Sequence, residues 1–229
     1  MLEGIGAIGL DLGQTLMHYE GVPMSWQALY PEALRAACEA AGIPADAGFL
    51  QVACERLALF NTRIHPRVAE VDAQQIFSEV FSGLGHTELD NAIDGFFGKV
   101  RQSYAIYEDA IPFLARKKSA GIPCGVLTDV PYGMPARWVG LDLEPFSPYL
   151  MVAISSVDVG FRKPHGAGFL ALAGRMGIEP TRMAFVGDEK KDIEGAKAAG
   201  MVAVLIDRDG NLPDFGEDHR ITGLHELLV

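Results

Sequence analysis

Met183-Ala-Phe-Val-Gly-Asp-Glu-Lys-Lys-Asp-Ile-Glu-Gly-Ala-Lys-Ala-Ala-Gly200 runs from an apolar stretch through a glycine to two aspartates and on into helical spacing. Met183–Val186 reads as a buried strand, Gly187 as a tight turn, and Asp192–Ala199 as a helix that stops at Gly200. The four-residue spacing of Asp188 and Asp192 brings both carboxylates to one side of the turn entering that helix. The same grammar recurs along the chain. Ala7–Leu10 runs into Asp11, Cys124–Leu127 into Thr128 and Asp129, and Leu150–Ile154 is trailed by Arg162-Lys163-Pro164; Val202–Ile206 is the last apolar run. Helical stretches at 109–120, near 136–139 and from Pro164 to about Met176 separate these strands. Apolar strands of four to six residues alternating with helices predict an α/β fold, a doubly wound parallel sheet covered on both faces. Ligands of such sheets bind at the carboxyl ends of the strands, so the four polar segments are expected on one edge.

Residues 17–104 break the alternation. Ser25 is placed to cap a helix through about Ala41, with Gly42 as its stop. Phe49 to Phe60 repeats apolar residues at helical spacing, and Asp72 with Gln75 and Thr87 with Asp90 resemble capping boxes. No strand is expected here. The stretch follows the first strand directly, so it reads as a helical cap over the carboxyl edge. The predicted organisation is a core of residues 1–16 and 105–229 and a cap of residues 17–104.

Composition narrows the function. The 229-residue chain is 49% hydrophobic and 21% charged, with a net charge of −11. That balance describes a globular chain and argues against nucleic acid as a main partner, since phosphate backbones need a basic face. A lysine and a divalent cation can still reverse the field inside one cleft. Cys38, Cys54 and Cys124 form no Cys-x-x-Cys spacing and read as reduced and structural. The first residues lack the basic start of a signal peptide, and no stretch approaches the roughly 20 apolar residues of a membrane span, so a cytoplasmic location is the expectation.

The polar segments form a kit for phosphate chemistry. Asp11 can attack phosphorus as a carboxylate nucleophile, provided the phosphoryl charge is neutralised. Taken alone, Asp11 is also a turn or cap residue, Thr128 a cap of the next turn, and Lys163 a solvated surface lysine. Together, Thr128 and Lys163 can hold phosphoryl oxygens. Asp11, Asp188 and Asp192 make the oxygen-rich set that Mg²⁺ prefers, although Asp192 also suits the positive end of a helix. The six histidines show no ligand spacing for zinc. Arg63, His65 and Arg67 share the segment Asn61-Thr-Arg-Ile-His-Pro-Arg67. It is expected to face the site and meet the substrate's leaving group; the alternative is a solvated connector.

The four motifs, in this order and across essentially the whole chain, resemble the haloacid dehalogenase superfamily, and the helical stretch after the first motif is similar to its type 1 cap. The closing Ile221-Thr-Gly-Leu-His-Glu-Leu-Leu228 resembles the last helix of many members. The resemblance implies a Mg²⁺-dependent phosphatase acting on a small phosphorylated metabolite. In it, Asp11 is the nucleophile, Thr128 and Lys163 hold the transferring phosphoryl group, and Asp188 binds the metal. Asp192 is a ligand or its support, and residue 13 contributes only its backbone carbonyl. Two positions depart from the family pattern. Gly13 stands where most phosphatase members carry an acid–base aspartate, whose loss typically costs about 10²–10⁴-fold in rate. Asp129 stands where asparagine is commoner, and it adds a carboxylate near the phosphate. The alternatives are a dehalogenase-like hydrolase and a non-catalytic protein of the same fold that binds a phosphorylated ligand. Retention of Asp188 and Asp192 favours Mg²⁺ and phosphate.

Overall fold

The computed structural model describes residues 4–21, 23–101 and 104–228. The chain begins with β1 (Ala7–Leu10) and β2 (Met17–Tyr19), then four helices: α1 (Tyr30–Ala41), α2 (Ala47–Ala58), α3 (Ala73–Val80) and α4 (His86–Val100). It returns through β3 (Tyr104–Ile106) to α5 (Ala110–Ser119), β4 (Cys124–Thr128), α6 (Ala136–Leu143), β5 (Leu150–Ser155) and the single turn α7 (Ser156–Val159). The last elements are α8 (Gly166–Met176), β6 (Met183–Gly187), α9 (Lys190–Ala198), β7 (Val202–Ile206) and β8 (His219–Ile221).

Six strands form a parallel sheet in the order β5-β4-β1-β6-β7-β8, with β1 between β4 and β6. Alternate strand residues serve opposite faces, as the two-residue strand period requires. Ile8, Leu10, Val126, Val186 and Val204 pack with Phe113 and Leu114 of α5. Leu127, Phe185 and Leu205 pack with Phe169 and Leu172 of α8 and Ile193 of α9. Both faces are therefore covered, as the apolar runs required.

Helices α1 to α4 enclose their own apolar cluster, centred on Phe77, Phe96 and Phe97. Asp46 and Asp72 cap α2 and α3 by accepting the N–H groups of Phe49 and Gln75. The chain leaves and re-enters through an antiparallel pair, with His18 opposite Ala105 in β2 and β3. The expectation of no strand within 17–104 is thus corrected at both ends, at Met17–Tyr19 and at Tyr104, in three-residue strands too short to show a period. Trp26–Leu29 is a 3₁₀ turn, and α1 starts at Tyr30, since Pro31 fits only a first turn. Ser25 caps nothing and instead accepts a hydrogen bond from Asn61 Nδ2. The N-cap of α4 is Gly85, so Thr87 lies inside the helix. Strand β8 follows β7, and the closing segment is 3₁₀ helix over Leu224–Leu228. All three cysteines are free thiols. Among the described residues no helix is long and apolar enough to cross a membrane.

Candidate active site

The carboxyl ends of β1, β4 and β6 meet at one point. The N–H of Asp11, just past β1, donates to the Val186 carbonyl of β6 (2.8 Å), which holds the carboxylate at the strand edge. Lys163 reaches the same point from the loop before α8. Its Nζ lies 2.8 Å from Asp11 Oδ1, 2.5 Å from Asp192 Oδ1 and 3.4 Å from the Leu127 carbonyl. Burial opposes the ammonium, but Asp11, Asp192 and Asp129 outweigh it and hold the proton on firmly.

The loop carrying Lys163 is pinned on three sides. Its backbone N–H donates to Asp129 Oδ1 (3.0 Å). Arg162 donates to the Val130 carbonyl (2.7 Å) and pairs with Glu70, which lies between α2 and α3. Backbone bonds from Arg162 to Val68 (2.7 Å) and from Glu70 to Gly160 (2.9 Å) seat the helical insert on this loop. Asp129 is not a free carboxylate beside the site. Its Oδ2 lies 3.2 Å from Lys191 Nζ, and despite burial Lys163, Lys191 and Arg162 hold its pKa below the ordinary carboxylate value.

Asp188 and Asp192 approach Asp11 as their spacing required. The three residues each place an oxygen within 4.8 Å of the others, and among the described residues no histidine joins such a cluster. Gly187 makes this possible, because a Cβ there would lie 2.4 Å from the Asp192 carboxyl carbon. Asp192 is fully buried at the start of α9, where its Oδ2 accepts the Glu189 N–H (3.0 Å). Its Oδ1 makes the charge contact with Lys163 but lacks the alignment of a hydrogen bond. Burial and the charges of Asp11, Asp192 and Glu189 push Asp188 up to about 8, and Asp192 is raised as well. One lysine does not neutralise three crowded carboxylates. An all-oxygen donor set with surplus negative charge fits a hard divalent cation such as Mg²⁺.

These groups open onto a cavity of about 510 Å³. Asp11, Gly13, Thr128, Asp129, Lys163, Asp188, Arg63 and Arg67 all line it, whereas Asp192 sits behind Lys163. The 61–67 loop does face the cavity at Arg63 and Arg67; His65 is exposed and lies outside the lining. Both arginines are already engaged. Arg63 pairs with Glu189 across the cavity mouth (2.5 Å), and Arg67 donates to the Phe60 carbonyl (2.7 Å) and pairs with Glu70 (3.3 Å). Gly13 has no atom within 4 Å of where a side chain would begin. Its neighbour Gln14 holds a left-handed backbone (φ 56°) and accepts a hydrogen bond from Tyr107 Oη (2.9 Å). The cavity also takes in His18, Tyr19, Trp26 and Tyr132, which carry no motif signal.

The sequence profile of the haloacid dehalogenase-like hydrolases matches residues 5–200. The chain belongs to this family. Among haloacid dehalogenase-like relatives, the phosphoglycolate phosphatase of Escherichia coli (strain K12) is 34% identical over 117 residues, 51% of this chain and 46% of that protein. The chain thus matches about half the length of such curated relatives. A haloacid dehalogenase (HAD) phosphatase structure from Thermococcus onnurineus aligns with TM-score 0.65 at 25% identity, over 97% of this chain and 96% of that one. The 2-haloacid dehalogenase of Pseudomonas syringae pv. Tomato DC3000 aligns with TM-score 0.67 at 22% identity over the same shares, and demonstrates the common fold.

Proposed function

We propose that this haloacid dehalogenase-like hydrolase is a Mg²⁺-dependent phosphatase that cleaves a small phosphomonoester through an aspartyl phosphate on Asp11. The observation that carries the reading is the Asp11 carboxylate, 2.8 Å from a buried lysine and facing a cavity beside Asp188. Asp11, Asp188 and the carbonyl of Gly13 would hold Mg²⁺, with Asp192 as their support; bound there, the ion supplies positive charge against the phosphoryl oxygens.

The chain's own residues do the rest. Lys163 Nζ and the Thr128 hydroxyl hold two phosphoryl oxygens, which offsets the repulsion between the phosphate and Asp11. An Asp11 oxygen attacks phosphorus, the bond to the leaving oxygen breaks, and its electron pair leaves with that oxygen, which takes up a proton. Water then attacks the same phosphorus. The bond to Asp11 breaks, the carboxylate recovers its electrons, and the water gives up a proton. The balance is phosphomonoester plus water to alcohol plus inorganic phosphate. Asp129 fixes the Lys163 backbone and pairs with Lys191, so its extra charge is neutralised locally. Residues 17–104 act as the cap over this edge, with residues 1–16 and 105–229 as the core.

Replacing Asp11→Asn keeps the shape of the side chain and removes its nucleophilic charge. Phosphate release from a panel of phosphomonoesters with Mg²⁺ is expected to vanish while the circular dichroism spectrum is retained. Undiminished release by the variant, or full wild-type activity in excess chelator, would rule the mechanism out.

A further inference from the structure

The cavity has two unlike ends. Asp11, Lys163 and Asp188 hold the charge at one end. The other is walled by the rings of Tyr19, Trp26 and Tyr132, which pack in one cluster with Met134 and Val139. Trp26 meets Tyr19 edge-on, with centroids 6.5 Å apart, and lies tilted to Tyr132 at 6.0 Å. The tyrosine hydroxyls on this wall are already engaged. Tyr19 Oη donates to Asp142, which also takes Arg101 Nε (3.0 Å). Tyr132 Oη bonds Tyr30 Oη (2.6 Å), and Asn61 Nδ2 donates to Tyr30 Oη and Ser25 Oγ, each at 3.0 Å. What this wall offers a ligand is chiefly ring faces, a thioether and a valine.

We propose that this end receives the leaving group, and that the leaving group is a planar, largely uncharged aromatic moiety rather than a small acid. The proposal rests on the phosphatase reading of Asp11. Three observations support it. A cavity of about 510 Å³ falls among those that enclose drug-sized ligands, far larger than a phosphoryl group on a glycolate-sized acid requires. The lining cations other than Lys163 are taken, Arg63 and Lys191 by Glu189 and Arg67 and Arg162 by Glu70. Finally, Tyr132 holds a left-handed backbone (φ 49°), which is strained for a bulky residue and persists where surrounding contacts enforce it. That strained turn sets the ring beside Trp26 in the cavity lining.

The test compares naphthylmethyl phosphate with phosphoglycolate. Both leave as primary alkoxides, so a preference cannot come from aryl leaving-group acidity. The Mg²⁺-loaded wild type is expected to favour naphthylmethyl phosphate by about tenfold or more in kcat/KM, the scale of one or two aromatic contacts. Trp26→Ala is expected to raise KM for naphthylmethyl phosphate about tenfold by removing one such wall. Val139→Phe, which fills the cavity without emptying the core, is expected to lower the naphthylmethyl-to-glycolate ratio. Calorimetric binding of the non-hydrolysable naphthylmethylphosphonate against methylphosphonate provides a readout without turnover. Equal or better use of phosphoglycolate by an enzyme that Asp11→Asn inactivates would overturn this proposal alone. So would a ratio unchanged in both cavity variants. A wild type that turns over neither ester, yet binds the naphthyl phosphonate about tenfold more tightly and loses that preference in the variants, would overturn the phosphatase reading and leave the aromatic pocket standing.

Discussion

On the phosphatase reading, Gly13 leaves the position two residues after the nucleophile Asp11 without a carboxyl group to protonate the leaving oxygen. Leaving groups that are stable as anions need that proton least, so aryl and acyl phosphates are expected to react faster than alkyl phosphates of similar size. Gly13→Asp would restore the donor, and the space at Gly13 admits it, with no atom within 4 Å of the new Cβ. The substitution is expected to accelerate alkyl phosphates by about 10²-fold and aryl phosphates by less. Steady-state rates over a series of leaving-group pKa values check this; an equal gain across the series would show that proton donation does not limit the wild type. Lys163 supports the opposite kind of prediction. Its ammonium is buried between Asp11 and Asp192, so Lys163→Met strands two carboxylates. A loss of about 3–5 kcal/mol in urea unfolding is expected for metal-free protein, as for other broken buried pairs. A loss under about 1 kcal/mol would show that the carboxylates find other compensation.

At the scale of elements, the site depends on how closely α9 approaches α8. Gly195 lies in α9 where a Cβ would stand 2.2 Å from the Phe169 ring and 3.0 Å from the Pro164 carbonyl. Gly195→Ala is expected to push α9 off α8 and cost about 1–3 kcal/mol, as overpacking does. Since Pro164 follows Lys163, phosphate release is expected to fall with it. Denaturant melts and kcat on the same preparation check both; a stable variant with unaltered kcat would show that the loop moves freely of the helix. Most elements were readable from the chain. Strands β1, β4, β5, β6 and β7 show as apolar runs because each is buried on both faces, and α3 and α9 announce themselves through Asp72 and through the Gly187 turn. Strands β2, β3 and β8 were not readable. Each has three residues and is held by pairing with another strand, β2 with β3 and β8 with β7, rather than by its own pattern.

For the whole molecule, the carboxylate cluster couples stability to pH and to metal. Asp188 is raised to about 8 by burial and by its acidic neighbours. A folded pKa above the unfolded value near ~3.9 gives stability that is complete below that value and is lost as pH rises through about 8. Metal-free protein is therefore expected to melt at a lower temperature at about pH 8.5 than at about pH 5.5, so far as this group is concerned. A cation held by Asp11 and Asp188 favours the ionised form and removes the penalty. The increase in Tm on adding Mg²⁺ is then expected to be larger at about pH 8.5 than at about pH 5.5, because the cation no longer competes with a proton. An equal increase at both pH values, or none in either, would place the ion elsewhere. Asp188→Asn is expected to flatten the dependence.

The residues themselves decided the sheet and its chemistry. Apolar runs ending in Asp11, Thr128 and at Asp188, alternating with helices, fit a parallel sheet buried on both faces, and that sheet brings their polar ends to one edge. The spacing of Asp188 and Asp192 just after Gly187 is local, so one turn of backbone suffices to pair them. What the tertiary structure decided is everything that joins the inserted helices to that edge. The Arg162–Glu70 and Arg63–Glu189 pairs span 92 and 126 positions, and the wall of Tyr19, Trp26 and Tyr132 draws on three separated segments. No local period encodes such contacts. They exist because four helices with a common apolar core settle on the sheet as a unit, and that seating alone determines which arginine meets which carboxylate and what space is left for a ligand.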